Sequence, residues 1–259
     1  MATYDRNQYA RPAYGAAAQA EIDQGLRSYM LQVYNYMAVG LVVTGLAAIG
    51  AFNLAITSSS AGAVAQLPSG EYLTQFGYAL YASPLKWVVF LAPLAIVFLF
   101  SFRIHKMNMG TAQAVFWAFA ALMGLSLSSI FMVYTTESIA RVFFITAASF
   151  GALSLFGYTT KKDLSGWGSF LFMGLIGIVL ASIVNIFIGS SALQFAISVI
   201  GVLVFAGLTA YDTQQIKEMY WQGDSTVVQG RKAIMGALRL YLDFINLFVM
   251  LLSLFGNRE

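Results

Sequence analysis

Residues 168–188 read GSFLFMGLIGIVLASIVNIFI, a run of 21 positions without one charged side chain. It is as long as a helix needs to be to cross the ~30 Å hydrocarbon core of a bilayer. Apolar residues fill it without the alternation of a barrel strand, so a helix, which satisfies its own backbone polar groups, is the structure lipid permits. Working outward, six more runs of this kind lie near 29–55, 85–103, 112–134, 139–159, 192–213 and 234–255. The 259-residue chain is 59% hydrophobic and 10% charged, against about 25% charged for a soluble domain. The fold class predicted is all-α: a membrane protein built as a seven-transmembrane-helix bundle.

Composition also excludes. With no Cys and a single His, zinc, iron–sulfur, haem and thiol chemistry have almost no ligands. The net charge of +3 comes from basic residues scattered between apolar blocks, which is no nucleic-acid footprint. Residues 1–25 are polar and small and lack an apolar signal core, so they are expected to be a flexible cytoplasmic tail ahead of a membrane domain at 26–259. No enzymatic activity and no resident cofactor are expected. The lack of Cys, of a signal peptide and of a long basic C-terminal tail suggests a bacterial inner (plasma) membrane.

Lys and Arg set the expected orientation. Arg6, Arg11 and Arg27 precede span one, Arg103 and Lys106 follow span two, and Lys161 and Lys162 follow span four; Lys217, Arg231 and Lys232 lie between spans six and seven. The 56–84 connection has no Lys or Arg. The positive-inside rule then puts the N-terminus in the cytoplasm and the C-terminus, with Arg258, outside. Small residues four apart (Ala120, Gly124 and Ser128; Ala147 and Gly151; Gly177 and Ala181) predict close helix contacts in spans three, four and five.

Two acids interrupt the apolar runs: Asp212 in Gly207-Leu-Thr-Ala-Tyr-Asp212-Thr-Gln-Gln-Ile-Lys217, and Asp243 in Leu238-Arg-Leu-Tyr-Leu-Asp243-Phe-Ile-Asn246. An ionised, unpaired carboxylate in mid-membrane costs about 2.5–3.5 kcal/mol, so two need compensation. Asp212 lies five residues before Lys217 and Asp243 eleven after Lys232, which places them at similar depth on neighbouring spans. The plain alternatives are a hydrated helix end for Asp212 and an ion pair with Arg239, one turn earlier, for Asp243. Neither explains the matched depth. With Asn246 and Thr209 one turn away on the same helices, the acids form a hard-oxygen group suited to Ca²⁺ or protons, short of a closed Ca²⁺ cage.

These same segments, GLTAYDTQQIK and LRLYLDFINLFVMLLSLFG, resemble the paired C-terminal signatures of the Bax inhibitor-1, or transmembrane Bax-inhibitor-motif, family. LQVYNYMAVGLVVTGLAA, ALMGLSLSSIF and GYTTKKDLSGWGSFLFMGLIGIV are similar to family segments as well, so the likeness spans roughly 27–256. The resemblance implies a bacterial member with its last helix central and six packed around it. It implies a pH-sensitive Ca²⁺ leak channel in which Asp212 and Asp243 form the titrating, ion-binding dyad. It also implies an arginine near the cytoplasmic end of span two that holds the dyad closed, for which Arg103 is the nearest candidate. Its bland reading is a positive-inside anchor beside Lys106.

Three other functions compete. A retinal protein needs a Schiff-base Lys in its last span, and 234–255 has none. An intramembrane aspartyl protease would carry Gly-x-Gly before its second Asp, where Leu240-Tyr241-Leu242 stands. A non-channel protein that binds and restrains a membrane protease, using residues 1–25 as its contact, is the remaining alternative. The dyad is expected to share one proton and to titrate as a pair, with deprotonation opening the path or admitting the ion.

Overall fold

The structure is a computed structural model that describes residues 11–258 apart from 61, 68 and 69, with side chains described from residue 22 onward except at 105. The spans are α1 (Arg11–Ala55), α2 (Leu85–Arg103), α3 (Met109–Leu127, extended by a 3₁₀ turn Ser128–Met132), α4 (Thr136–Thr159), α5 (Ser165–Ile188), α6 (Ser191–Glu218) and α7 (Thr226–Phe255). Among the described residues, these seven are the helices long and apolar enough to cross a membrane. The all-α membrane bundle read from the sequence is therefore present.

Local chemistry sets the helix ends. Asn108, Thr135, Ser190 and Ser225 cap α3, α4, α6 and α7, each side-chain oxygen accepting an N–H from the first turn, as short polar side chains do for donors without a helical partner. Gly189 closes α5 at φ +66°, a left-handed conformation that glycine takes without steric cost. At the other end of the chain the expectation shifts. The alanine-rich 16–20 stretch belongs to α1, so residues 11–25 are helical where a flexible tail was expected, in keeping with alanine's high helix propensity. Residues 1–10 of that tail lie outside the described residues.

The core is α7. Its span is 56% buried, while α2 and α5 are each 11% buried. It packs against α1, α3, α4 and α6, so the last helix is central. Around it, α1 pairs with α3 and α3 with α2, and separately α4 pairs with α6 and α6 with α5. The ring thus has two seams, one between α2 and α5 and one between α1 and α4.

Backbone contact decides where helices can close up. A Cβ at Gly124 of α3 would meet the Thr44 carbonyl and, at 2.7 Å, the Ala47 Cβ of α1. Gly157 of α4 meets the Ala210 carbonyl of α6 in the same way. Gly151 and Gly177, which also sit in small-residue patterns, face open space instead. Spacing alone does not distinguish a contact from a gap. Across the α1–α3–α7 junction, Thr44 Oγ1 donates to the Ala120 carbonyl (2.8 Å) and accepts from Tyr241 Oη (2.6 Å).

Pro93 inside α2 has no N–H for the Val89 carbonyl four residues earlier. Ser126 Oγ of α3 donates to that carbonyl at 2.7 Å, which restores the bond and fastens α2 to α3. The 56–84 connection, which has no Lys or Arg, forms a small antiparallel sheet: β1 (Ile56–Thr57), β2 (Ala65–Gln66) and β3 (Tyr72–Leu73), in the order β1-β3-β2. The chain terminus is tied down there too. Thr135 N–H donates to the Asn257 carbonyl (3.1 Å), and the Arg258 guanidinium lies 5.8 Å from the Tyr134 ring centre.

Candidate functional site: a carboxyl pair in an open cavity

The seam between α2 and α5 is a cavity of about 950 Å³ walled by α2, α3, α5, α6 and α7. Pro93 and Ser126 form part of one wall, and Gly168 and Phe172 part of the wall opposite. Asp212, Arg239, Asp243 and Asn246 all face into it. Every other lining residue but Ser126, Ser169 and Tyr211 is apolar or glycine.

Asp212 comes from α6 and Asp243 from α7, and their carboxyls face each other at the wall of this cavity. Asp212 is half-buried, whereas Asp243 is only 5% exposed. One oxygen of Asp243, Oδ2, is buried without a hydrogen-bond partner. Two carboxyls that meet can hydrogen-bond only while one of them carries a proton.

The residues on either side fix this register. Thr213 and Gln214, which follow Asp212, are both buried. Gln214 accepts the Leu164 N–H (2.7 Å) and donates to the Lys162 carbonyl (2.8 Å), locking the α4–α5 connection to α6. Tyr211, which precedes Asp212, packs where a Cβ on Gly168 would lie, 2.6 Å from its Oη. These contacts turn α6 so that Asp212 faces α7 and the cavity.

Of the other residues singled out in the sequence, Asn246 lines the same cavity. Its amide N–H donates to the Leu242 carbonyl at 2.8 Å, which leaves its side-chain oxygen to serve as an acceptor. Thr209 does not join. It is fully buried, donates to the Phe205 carbonyl (2.7 Å) and does not line the cavity. Arg103 does not join either; it is exposed at the end of α2 and lines no part of the cavity. The arginine that does is Arg239, one turn from Asp243 toward the basic end. Its charge acts on both carboxyls, yet it forms no ion pair with either within 4 Å among the described residues. The sequence showed Arg239 only as a rival explanation for Asp243; its position within one turn of a buried acid was the available signal.

Ca²⁺ takes six to eight oxygens. Two carboxyls and one amide oxygen are the side-chain donors on hand, and among the described residues no third His, Cys, Asp or Glu completes a metal-binding group. The donor set suits a cation that keeps most of its water.

A seven-helix bundle wrapped around its last helix, with acids of the last two helices meeting in a membrane-depth cavity, defines a class of polytopic membrane protein. Residues 26–259 match the family described as inhibitor of apoptosis-promoting Bax1, and the chain belongs to that Bax inhibitor-1 family. It is 48% identical over 253 residues to an uncharacterized protein of Caulobacter vibrioides, covering 97% of each chain. It is 49% identical over 237 residues to the inner membrane protein YbhL of Escherichia coli K12, covering 91% of this chain and 94% of the relative. An uncharacterized protein of Rickettsia prowazekii is 44% identical over 251 residues, 97% of this chain and 98% of the relative.

Proposed function

We propose that the protein is a proton-regulated Ca²⁺ leak of the bacterial inner membrane, with its N-terminus in the cytoplasm and no enzymatic role. The observation that supports this reading is the meeting of Asp212 and Asp243, one from each of the last two helices, at the wall of an open cavity. While one proton is shared, the pair bridges α6 and α7. Its loss leaves two like charges a few ångströms apart, worth about 4 kcal/mol of repulsion at 4 Å and an effective dielectric constant of ~20. That exceeds most single packing contacts. The helices must part at that point, or a cation must enter between the carboxylates. Ca²⁺ is then held by few protein oxygens and leaves readily, as conduction requires.

The test is Ca²⁺ entry into liposomes containing the pure protein, measured across pH. The expected result is flux that rises as the pH on the basic face rises. No flux at any pH overturns the leak and favours the second function, restraint of a membrane protease, in which deleting residues 2–24 abolishes the effect. Orientation is checked with cysteines introduced at Ser59 and Lys161 in this Cys-free chain. An impermeant reagent should label them from opposite sides; labelling from one side contradicts the topology.

A further inference from the structure

The second seam, between α1 and α4, is a groove of about 660 Å³ that the leak does not use. Its walls are almost wholly apolar and are opened by the smallest residues in them. Ala38 and Gly151 are both exposed, and a Cβ built at Gly151 meets nothing within 4 Å. Its lining runs along α1 from Arg27 to Leu41, about 21 Å at 1.5 Å per residue. That exceeds one leaflet, half of the ~30 Å core.

The floor is polar in composition but asks for no ligand. Thr213 Oγ1 donates to the Thr209 carbonyl (2.7 Å), so its bond with Ser154 Oγ (2.9 Å) is donated by Ser154, and the Ser154 bond with Tyr34 Oη (2.6 Å) is donated by Tyr34. Every hydroxyl proton in the chain is used. The groove's mouth is the opposite in character. Arg27 lines it, and Lys217 Nζ stands behind Tyr158, 2.8 Å from its carbonyl and 5.3 Å from its ring centre. Lys161 and Lys162 follow Tyr158 by three and four residues and are exposed. A satisfied apolar slot one leaflet deep, headed by cations, is complementary to a single kind of membrane component.

We propose that this groove is a binding site for one anionic glycerophospholipid, with an acyl chain between α1 and α4 and its phosphate at Arg27 and Lys217. It is independent of ion flux. The test is native mass spectrometry of the full chain released from nanodiscs containing equal parts phosphatidylglycerol and phosphatidylethanolamine. The wild type should retain one phosphatidylglycerol per chain. Gly151→Leu, which places a side chain in the open space, should cut retention about tenfold, the worth of some two displaced methylene contacts. Ala38→Leu fills the slot from the opposite wall and serves if the first variant does not fold. Arg27→Gln and Lys217→Gln should each reduce the preference for phosphatidylglycerol about fivefold. Retention unchanged in folded Gly151→Leu and Ala38→Leu, equal retention of phosphatidylethanolamine, or a chain dimer sealed through this groove in place of lipid overturns the proposal.

Discussion

The two seams of the helix ring meet at neighbouring residues of α6 and have opposite chemistry. Asp212 faces the α2–α5 cavity, where its carboxyl meets Asp243 and one oxygen of the pair is left without a partner. Thr213 faces the α1–α4 seam, where three hydroxyls pass their protons in one direction to a backbone carbonyl. Consecutive residues on a helix differ by about 100°, so one turn of α6 can serve a reactive face and an inert one. The difference lies in compensation. Buried polar groups that are fully paired rigidify a bundle, while one left without a partner is costly where it stands.

The largest effect should come from the backbone contacts that close the helices up between the two seams. Gly124→Leu forces a side chain against the Thr44 carbonyl and should cost about 3 kcal/mol, read as a lowered unfolding temperature in detergent. Ser126→Ala removes the donor that serves the Val89 carbonyl and should cost about 1–3 kcal/mol. In a Pro93→Ala background the restored N–H takes that carbonyl, so the same Ser126→Ala change should cost little. Equal costs in both backgrounds would break the link between Pro93 and Ser126.

Electrostatics should separate the two arginines. Arg239→Gln removes the cation that faces the pair and should move the pH midpoint of flux upward by about one unit, the worth of one charge several ångströms away. Arg103→Ala should leave the midpoint in place. The reverse result would restore Arg103 as the latch. Smallest of all, Thr213→Val breaks the hydroxyl chain and should cost about 1 kcal/mol with the pH profile of flux unmoved. A shifted profile would mean the inert seam is coupled to the reactive one.

Much of this was legible in the sequence, for definable reasons. A span has to supply about 20 apolar residues, so all seven could be counted, and the acids stood out because lipid makes such residues costly. Matched depth led to the expectation that they meet, and both line one cavity. The ring order was not legible, because an apolar helix does not show in its sequence which neighbours it touches, and only contacts reveal that α2 and α5 lie at the edge. Small-residue spacing marked Gly124 and Gly151 equally, yet one is pressed on a carbonyl and the other opens a groove. Thr209 matched Asp212 in spacing but turns its hydroxyl back to its own helix. Strands two residues long in the 56–74 connection carry no pattern to read.

The most direct measurement is Ca²⁺ flux across pH through liposomes containing the variant with both Asp212→Asn and Asp243→Asn. If these two carboxyls hold the regulating proton, flux should lose its dependence on pH. A double variant that keeps the wild-type profile would place the titrating group elsewhere in the molecule.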